Sequence, residues 1–84
     1  MQQVDIENLK KFGQKVKELR EKKSESLNKF VMSQDILTTA TWSRIENGKF
    51  DFKLSTLLRV AYMLGIKVED LLKSVDFDYN FIEY

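Results

Sequence analysis

The chain has 84 residues, of which 43% are hydrophobic and 32% charged, a composition typical of one small folded domain and not of a disordered segment. It contains no Cys and no His, which excludes disulfides, thiolate and imidazole metal sites, and Ser–His or Cys–His catalysis. No apolar run approaches the roughly 18 residues of a membrane span, and residues 1–11 lack the apolar core of a signal peptide, so we expect a cytoplasmic protein.

The first predicted helix covers roughly residues 6–22. Apolar side chains recur there at steps of three and four, at Ile6, Leu9, Phe12, Val16 and Leu19. Gly13 lies inside this helix and costs about 1 kcal/mol relative to Ala. A close contact with another helix at that point would explain the glycine.

Two short helices follow. Ser26 is a predicted N-cap for the second, whose inner face carries Leu27, Phe30 and Val31. A turn over residues 33–37 leads to the third helix, which Thr38 caps and Gly48 ends. Its inward-facing residues are Trp42 and Ile45, three positions apart.

The fourth and fifth helices are predicted over residues 54–64 and 68–73, separated by Gly65. Hydrophobic spacing places five residues of the fourth helix on its inner face: Leu54, Leu57, Leu58, Ala61 and Leu64. The fifth helix turns three residues inward: Val68, Leu71 and Leu72.

The last ten residues show a different periodicity. Val75, Phe77, Tyr79 and Phe81 alternate with polar residues, which predicts an extended strand over 75–82. A lone strand cannot satisfy its backbone hydrogen-bonding groups. Pairing with the same strand of a second copy across a two-fold axis is the favoured solution. The alternative is a tail that lies across the monomer's own core or frays in solution.

Charge is distributed unevenly along the chain. Residues 10–59 carry twelve basic and six acidic side chains, a net +6, whereas residues 60–84 carry a net −3. A basic body suggests a polyanionic partner. A lysine-rich helix face exposed to water explains the same charges equally well.

Three segments, in order, carry a family resemblance. They are residues 12–20 (FGQKVKELR), residues 42–49 (WSRIENGK) and residues 54–72, which include LSTLLRVAYMLGI and VEDLL. Together they resemble the Cro/repressor-type (XRE, lambda-repressor-like) helix-turn-helix family. The resemblance covers about residues 9–73 and needs no gap from Trp42 to Leu72.

The resemblance implies an all-α, five-helix lambda-repressor-like domain over residues 1–74, to which we add the short extended strand or tail over 75–84. In the family the third helix, here about 38–47, lies in the DNA major groove. The residues expected to contact bases are Thr39, Ala40, Ser43 and Arg44. Those expected to contact phosphates are Ser26, Asn28, Lys29, Thr38, Thr41, Asn47, Lys49 and Lys53. Arg20 and Glu46 stand at positions that form an ion pair in the family.

The sequence departs from the family pattern between the second and third helices. Asp35-Ile36 replaces an Ala-Gly pair, which disfavours a positive φ at the usual place. Trp42 stands where Ile is usual. The second helix aligns in two ways, with either Phe30-Val31 or Val31-Met32 as the family's Leu-Ala pair, and we favour the first, with one extra residue in the turn.

The sequence therefore predicts a transcriptional regulator that binds double-stranded DNA sequence-specifically, as a homodimer on a two-fold symmetric operator. Val75, Phe77, Tyr79 and Phe81 would form the dimer contact. We expect no enzymatic activity, catalytic residue, metal, cofactor or membrane partner. The alternatives are an antitoxin-type DNA-binding protein whose tail binds a protein partner, a fragment of a larger regulator, and a protein-interaction module without DNA binding.

Overall fold

A computed structural model describes residues 2–24 and 26–81 of the chain. This part forms five α-helices and no β-strand, so the all-α prediction is confirmed. The helices are α1 (Gln3–Lys23), α2 (Leu27–Met32), α3 (Thr39–Glu46), α4 (Leu54–Leu64) and α5 (Val68–Lys73). None of the helices in these residues is long and apolar enough to cross a membrane.

The helix α1 begins three residues earlier than the hydrophobic periodicity predicts. Its extra turn is stabilised at the start, where the backbone N–H of Gln2 donates to Asp5 Oδ2 at 3.2 Å. The Asp5 carboxylate also lies in the first turn, near the positive end of the helix dipole. Capping by polar residues thus lets the helix begin before its first inward-facing residue.

All five helices contribute to one hydrophobic core. Its central side chains have almost no exposed surface and come from α1 (Val16), α3 (Trp42 and Ile45), α4 (Val60) and α5 (Leu71). From α2, Phe30 and Val31 are both buried, whereas Met32 is exposed. This burial favours the alignment in which Phe30-Val31 is the inner pair and the following turn has one extra residue.

The turn between α2 and α3 is closed by an aspartate. Asp35 has a φ of 53°, the left-handed region that Asp tolerates better than most non-glycine residues. Its backbone N–H donates to the carbonyl of Val31 at 3.2 Å, and Gln34 Nε2 donates to the carbonyl of Met63 at 3.0 Å. The positive φ therefore lies one residue before the position where the family has its glycine.

The prediction of which residues of α4 and α5 face inward is partly wrong. Ala61 and Leu64 are buried, but Leu54 and Leu58 are 68% and 48% exposed. The helix turns a face centred on Val60 and Leu64 into the core, which leaves Leu54, Leu58 and Tyr62, spaced by four residues, as an exposed ridge of α4. On α5, Leu72 is also exposed, because Leu71 takes the inward position.

The strand predicted over residues 75–82 is also wrong for the described residues 75–81, and residue 82 lies outside them. This segment runs along α1. Asn8 Nδ2 donates to the Asp78 carbonyl at 2.8 Å, and the Asp78 N–H donates to Asn8 Oδ1 at 2.8 Å. Lys11 Nζ donates to the Asp76 carbonyl at 3.0 Å. Side chains of α1 thus supply hydrogen bonds that a neighbouring strand would otherwise provide.

The predicted apolar face of the tail is divided between two environments. Val75 and Phe77 are partly buried and pack against the monomer's own core. Tyr79 and Phe81 are 77% and 49% exposed, with their rings in an edge-to-face contact at 6.3 Å. Only the second pair remains available to another molecule.

Candidate nucleic-acid interface

The helix α3 begins at a threonine cap. Thr38 Oγ1 accepts the backbone N–H of Thr41 at 3.1 Å, and its hydroxyl donates to Thr41 Oγ1 at 2.9 Å. The cap satisfies one of the free N–H groups at the start of the helix. Both hydroxyls proposed to contact phosphate are therefore already positioned relative to each other.

The four predicted base-contacting residues lie on one face of α3. Ala40 and Arg44, one turn apart, are exposed, and Thr39 and Ser43 beside them are half-buried. The opposite face is closed, because Trp42 and Ile45 have almost no exposed surface. The face combines hydroxyl, methyl and guanidinium groups, which match the hydrogen-bonding and methyl pattern of base edges in the major groove.

Five of the eight predicted phosphate-contacting residues lie in two segments of the chain that flank α3, and the other three, Thr38, Thr41 and Asn47, lie in α3 or at its caps. Ser26, Asn28 and Lys29 begin α2, where Ser26 Oγ accepts the N–H of Lys29 at 3.3 Å. Lys49 and Lys53 lie in the loop after α3, and both are exposed. These groups supply hydroxyls, an amide and cations, the usual donors to phosphate oxygens.

The side chain of Asn47 already forms hydrogen bonds within the protein, whereas a phosphate donor is expected to be free. Its Nδ2 donates to the Ser43 carbonyl at 2.8 Å and contacts Ser43 Oγ at 3.3 Å. The side chain therefore caps the end of α3 from the outside and lies beside a predicted base-contacting residue. A phosphate contact from this amide would compete with the bonds to Ser43.

Sequence reasoning missed Lys10 as a neighbour of this surface. A Cβ on Gly48 would lie 2.7 Å from Lys10 Cα and 2.8 Å from Lys10 Cγ, so α1 packs directly on the loop that follows α3. Position 48 requires glycine for two reasons, the close approach of Lys10 and a φ of 67°. Only tertiary structure brings Lys10 next to Gly48, because nothing in the local sequence pattern connects them.

An ion pair with two hydrogen bonds joins the C-terminal end of α3 to α1. Arg20 Nε donates to Glu46 Oε2 at 2.8 Å and Arg20 Nη2 donates to Glu46 Oε1 at 2.9 Å. Both side chains are only 6% exposed. The hydrogen bond to Glu46 raises the pKa of Arg20 above its usual value, so the guanidinium stays charged. The ion pair expected from the family resemblance is thus present.

Two further contacts complete this junction between α1 and α3. Trp42 Nε1 donates to Glu46 Oε2 at 2.7 Å. Gly13 lies against the last turn of α3, where a Cβ would lie 2.6 Å from the Glu46 carbonyl oxygen and would also collide with the carbonyl of Ile45. The close helix contact predicted for Gly13 is confirmed.

The chain is similar to known proteins over most of its length. The family model described as "Cro/C1-type HTH DNA-binding domain" matches residues 8–76. Control protein C.MunI from Mycoplasma sp is 32% identical over 66 residues, which cover 79% of this chain and 89% of that protein. No solved structure matches the chain.

Proposed function

Since the chain belongs to the family of Cro/C1-type helix-turn-helix DNA-binding domains, we propose that it regulates transcription by inserting α3 into the major groove of a specific operator. The observation that carries this proposal is the two-sided character of α3. One side exposes Ala40 and Arg44, with Thr39 and Ser43 beside them, and the other is locked to α1 through Glu46. A rigidly held helix with a free polar face is what reading base edges requires.

Arg44 is the main base-reading residue in this proposal. Its guanidinium donates to the O6 and N7 atoms of one guanine, a contact worth about 1–3 kcal/mol of discrimination. Thr39 and Ala40 place methyl groups beside a thymine methyl, and the Ser43 hydroxyl bonds to either kind of base edge.

Phosphate contacts set the register of the helix in the groove. Ser26, Asn28 and Lys29 bind the backbone on one side of α3, and Thr38 and Thr41 bind it near the start of α3. Lys49 and Lys53 bind it on the other side, where Lys10 adds a further cation and Asn47 binds in competition with its bonds to Ser43. If six to eight phosphates are neutralised per dimer, log affinity falls against log salt with a slope of roughly −5 to −7.

A homodimer presents two copies of α3 to successive major grooves, whose half-sites lie about 34 Å apart. The exposed ridge of α4 and the exposed tail residues Tyr79 and Phe81 support an interface with a second copy, since they are apolar and lie outside the core. A stable dimer buries roughly 1,200–2,000 Å² in total, more than two tail side chains supply. We therefore assign Val75 and Phe77 to the monomer fold. The dimer interface consists of the ridge of α4 together with Tyr79 and Phe81.

The DNA-binding proposal is tested by selecting bound duplexes from a random pool. We expect a two-fold symmetric consensus for the wild-type protein. Arg44→Ala loses the preference at one base pair in each half-site, and Arg59→Ala, which removes an exposed arginine of α4, keeps every preference. A pool without enrichment, or an Arg44→Ala consensus identical to wild type, would contradict the proposal.

The dimer is tested separately by sedimentation equilibrium. Removing residues 79–84 spares the partly buried Val75 and Phe77, and Leu58→Ser changes only the ridge of α4. Each change should shift the equilibrium towards monomer. If the shortened protein stays dimeric and still binds its operator, Tyr79 and Phe81 are free for a different protein partner, as in the antitoxin-type alternative.

A further inference from the structure

The fully buried Trp42 both donates a hydrogen bond and packs against a neighbouring helix. Its indole N–H donates to Glu46 Oε2 at 2.7 Å, an oxygen that also accepts Arg20 Nε at 2.8 Å. Its ring lies against Phe30 of α2, with ring centroids 5.0 Å apart and planes inclined by 57°. Trp42 therefore joins α2 to the junction between α1 and α3. A Phe or Ile at this position would occupy part of the space and its side chain would donate no hydrogen bond.

The Glu46 carboxylate is held by three hydrogen bonds from two sources. Arg20 approaches from α1 with two donors, and Trp42 approaches from within α3. Removing a single donor leaves a carboxylate oxygen that is buried with one bond fewer. The Glu46 side chain then rotates, or α3 moves, until this oxygen accepts another hydrogen bond.

These anchors converge on Glu46 at the C-terminal end of α3, whereas two of the four proposed base-contacting residues, Thr39 and Ala40, lie in its first turn. Six residues separate Thr39 from Ile45, so the helix extends about 9 Å beyond the junction. A tilt of about 10° at the junction then displaces Thr39 by about 1.6 Å. Base-reading hydrogen bonds tolerate only a fraction of that shift.

We propose that Trp42 is a positioning residue for base recognition, because its indole N–H fixes the Glu46 carboxylate and so the tilt of α3. This inference rests on the proposed insertion of α3 into the major groove. Phosphate contacts are less demanding in geometry and carry no base identity. Loss of the indole N–H therefore affects selectivity more than the affinity for DNA in general.

The test uses Trp42→Phe, which keeps an aromatic ring against Phe30 and removes the N–H. Residual dipolar couplings of the DNA-free protein measure the angle between α1 and α3, and titrations compare the selected operator with a random duplex. We expect a changed angle, an operator preference lowered about tenfold and an unchanged affinity for the random duplex. Val60→Ala, a buried substitution on α4, should leave both the angle and the preference unchanged.

A second variant keeps the test valid if Trp42→Phe does not fold. Benzothienylalanine at position 42 replaces the indole N–H with sulfur at nearly the same volume. For either variant, an unchanged angle or an unchanged preference overturns the inference, and so does an equal loss of affinity for both duplexes. If the wild-type protein selects no duplex, the proposed function fails, and the measured angle alone then decides whether Trp42 positions α3.

Discussion

The substitution Gly13→Ala separates helix propensity from packing, because the two predict opposite signs. In the interior of an isolated helix, Ala is about 1 kcal/mol more stable than Gly. In this protein the added Cβ would lie 2.6 Å from the carbonyl oxygen of Glu46 and 2.9 Å from its carbonyl carbon. These are backbone atoms, so the clash is relieved only if α1 and α3 move apart.

Overpacking of a core costs about 1–3 kcal/mol, and a clash against backbone belongs at the upper end of that range. After subtraction of the propensity gain, Gly13→Ala should lower the free energy of unfolding by about 2 kcal/mol. For a domain of this size the corresponding fall in Tm is about 8–16 °C. Moving the helices apart also strains the ion pair between Arg20 and Glu46, so operator affinity should fall as well.

Chemical denaturation followed by circular dichroism measures the change. Lys17→Ala is the matched control, since Lys17 is exposed on the same helix and its replacement should change stability by less than about 0.5 kcal/mol. A Gly13→Ala protein more stable than wild type would show that α1 and α3 are not in close contact at this point, and would refute the packing argument.

Two further predictions concern single hydrogen-bonding side chains. Thr38→Ala removes the acceptor for the N–H of Thr41 and should cost about 1 kcal/mol in denaturant unfolding; no change would mean that the cap does not stabilise α3. Asn8→Ala removes both bonds to the backbone of Asp78, so the amide of Asp78 should exchange its hydrogen at least tenfold faster in NMR, and unchanged exchange would contradict the docked tail.

Much of the helical framework is predictable from the sequence because it depends on local chemistry. Hydrophobic spacing locates all five helices, and Ser26 and Thr38 mark the starts of α2 and α3 through their own hydroxyls. The family resemblance supplies the pairing of Arg20 with Glu46. The exposed face of α3 follows from the inward positions of Trp42 and Ile45.

The errors concern contacts between residues distant in the chain. Period two in the tail does not reveal that Asn8 supplies the missing hydrogen bonds or that Phe77 packs on the monomer's own core. Leucines on two sides of α4 do not show which side meets the core, so their spacing wrongly predicts an inward Leu58. The bond from Trp42 to Glu46 depends on a side-chain rotamer, which spacing along the chain does not determine.

The bonds between Asn8 and Asp78 join residues 70 positions apart and close the chain between them into a loop. A ribosome releases Asp78 70 residues after Asn8. The first turns of α1 must therefore wait for the synthesis of Asp78 before they gain these two partners. Nascent chains arrested before Asp78 should accordingly carry a frayed N-terminus on an otherwise helical intermediate.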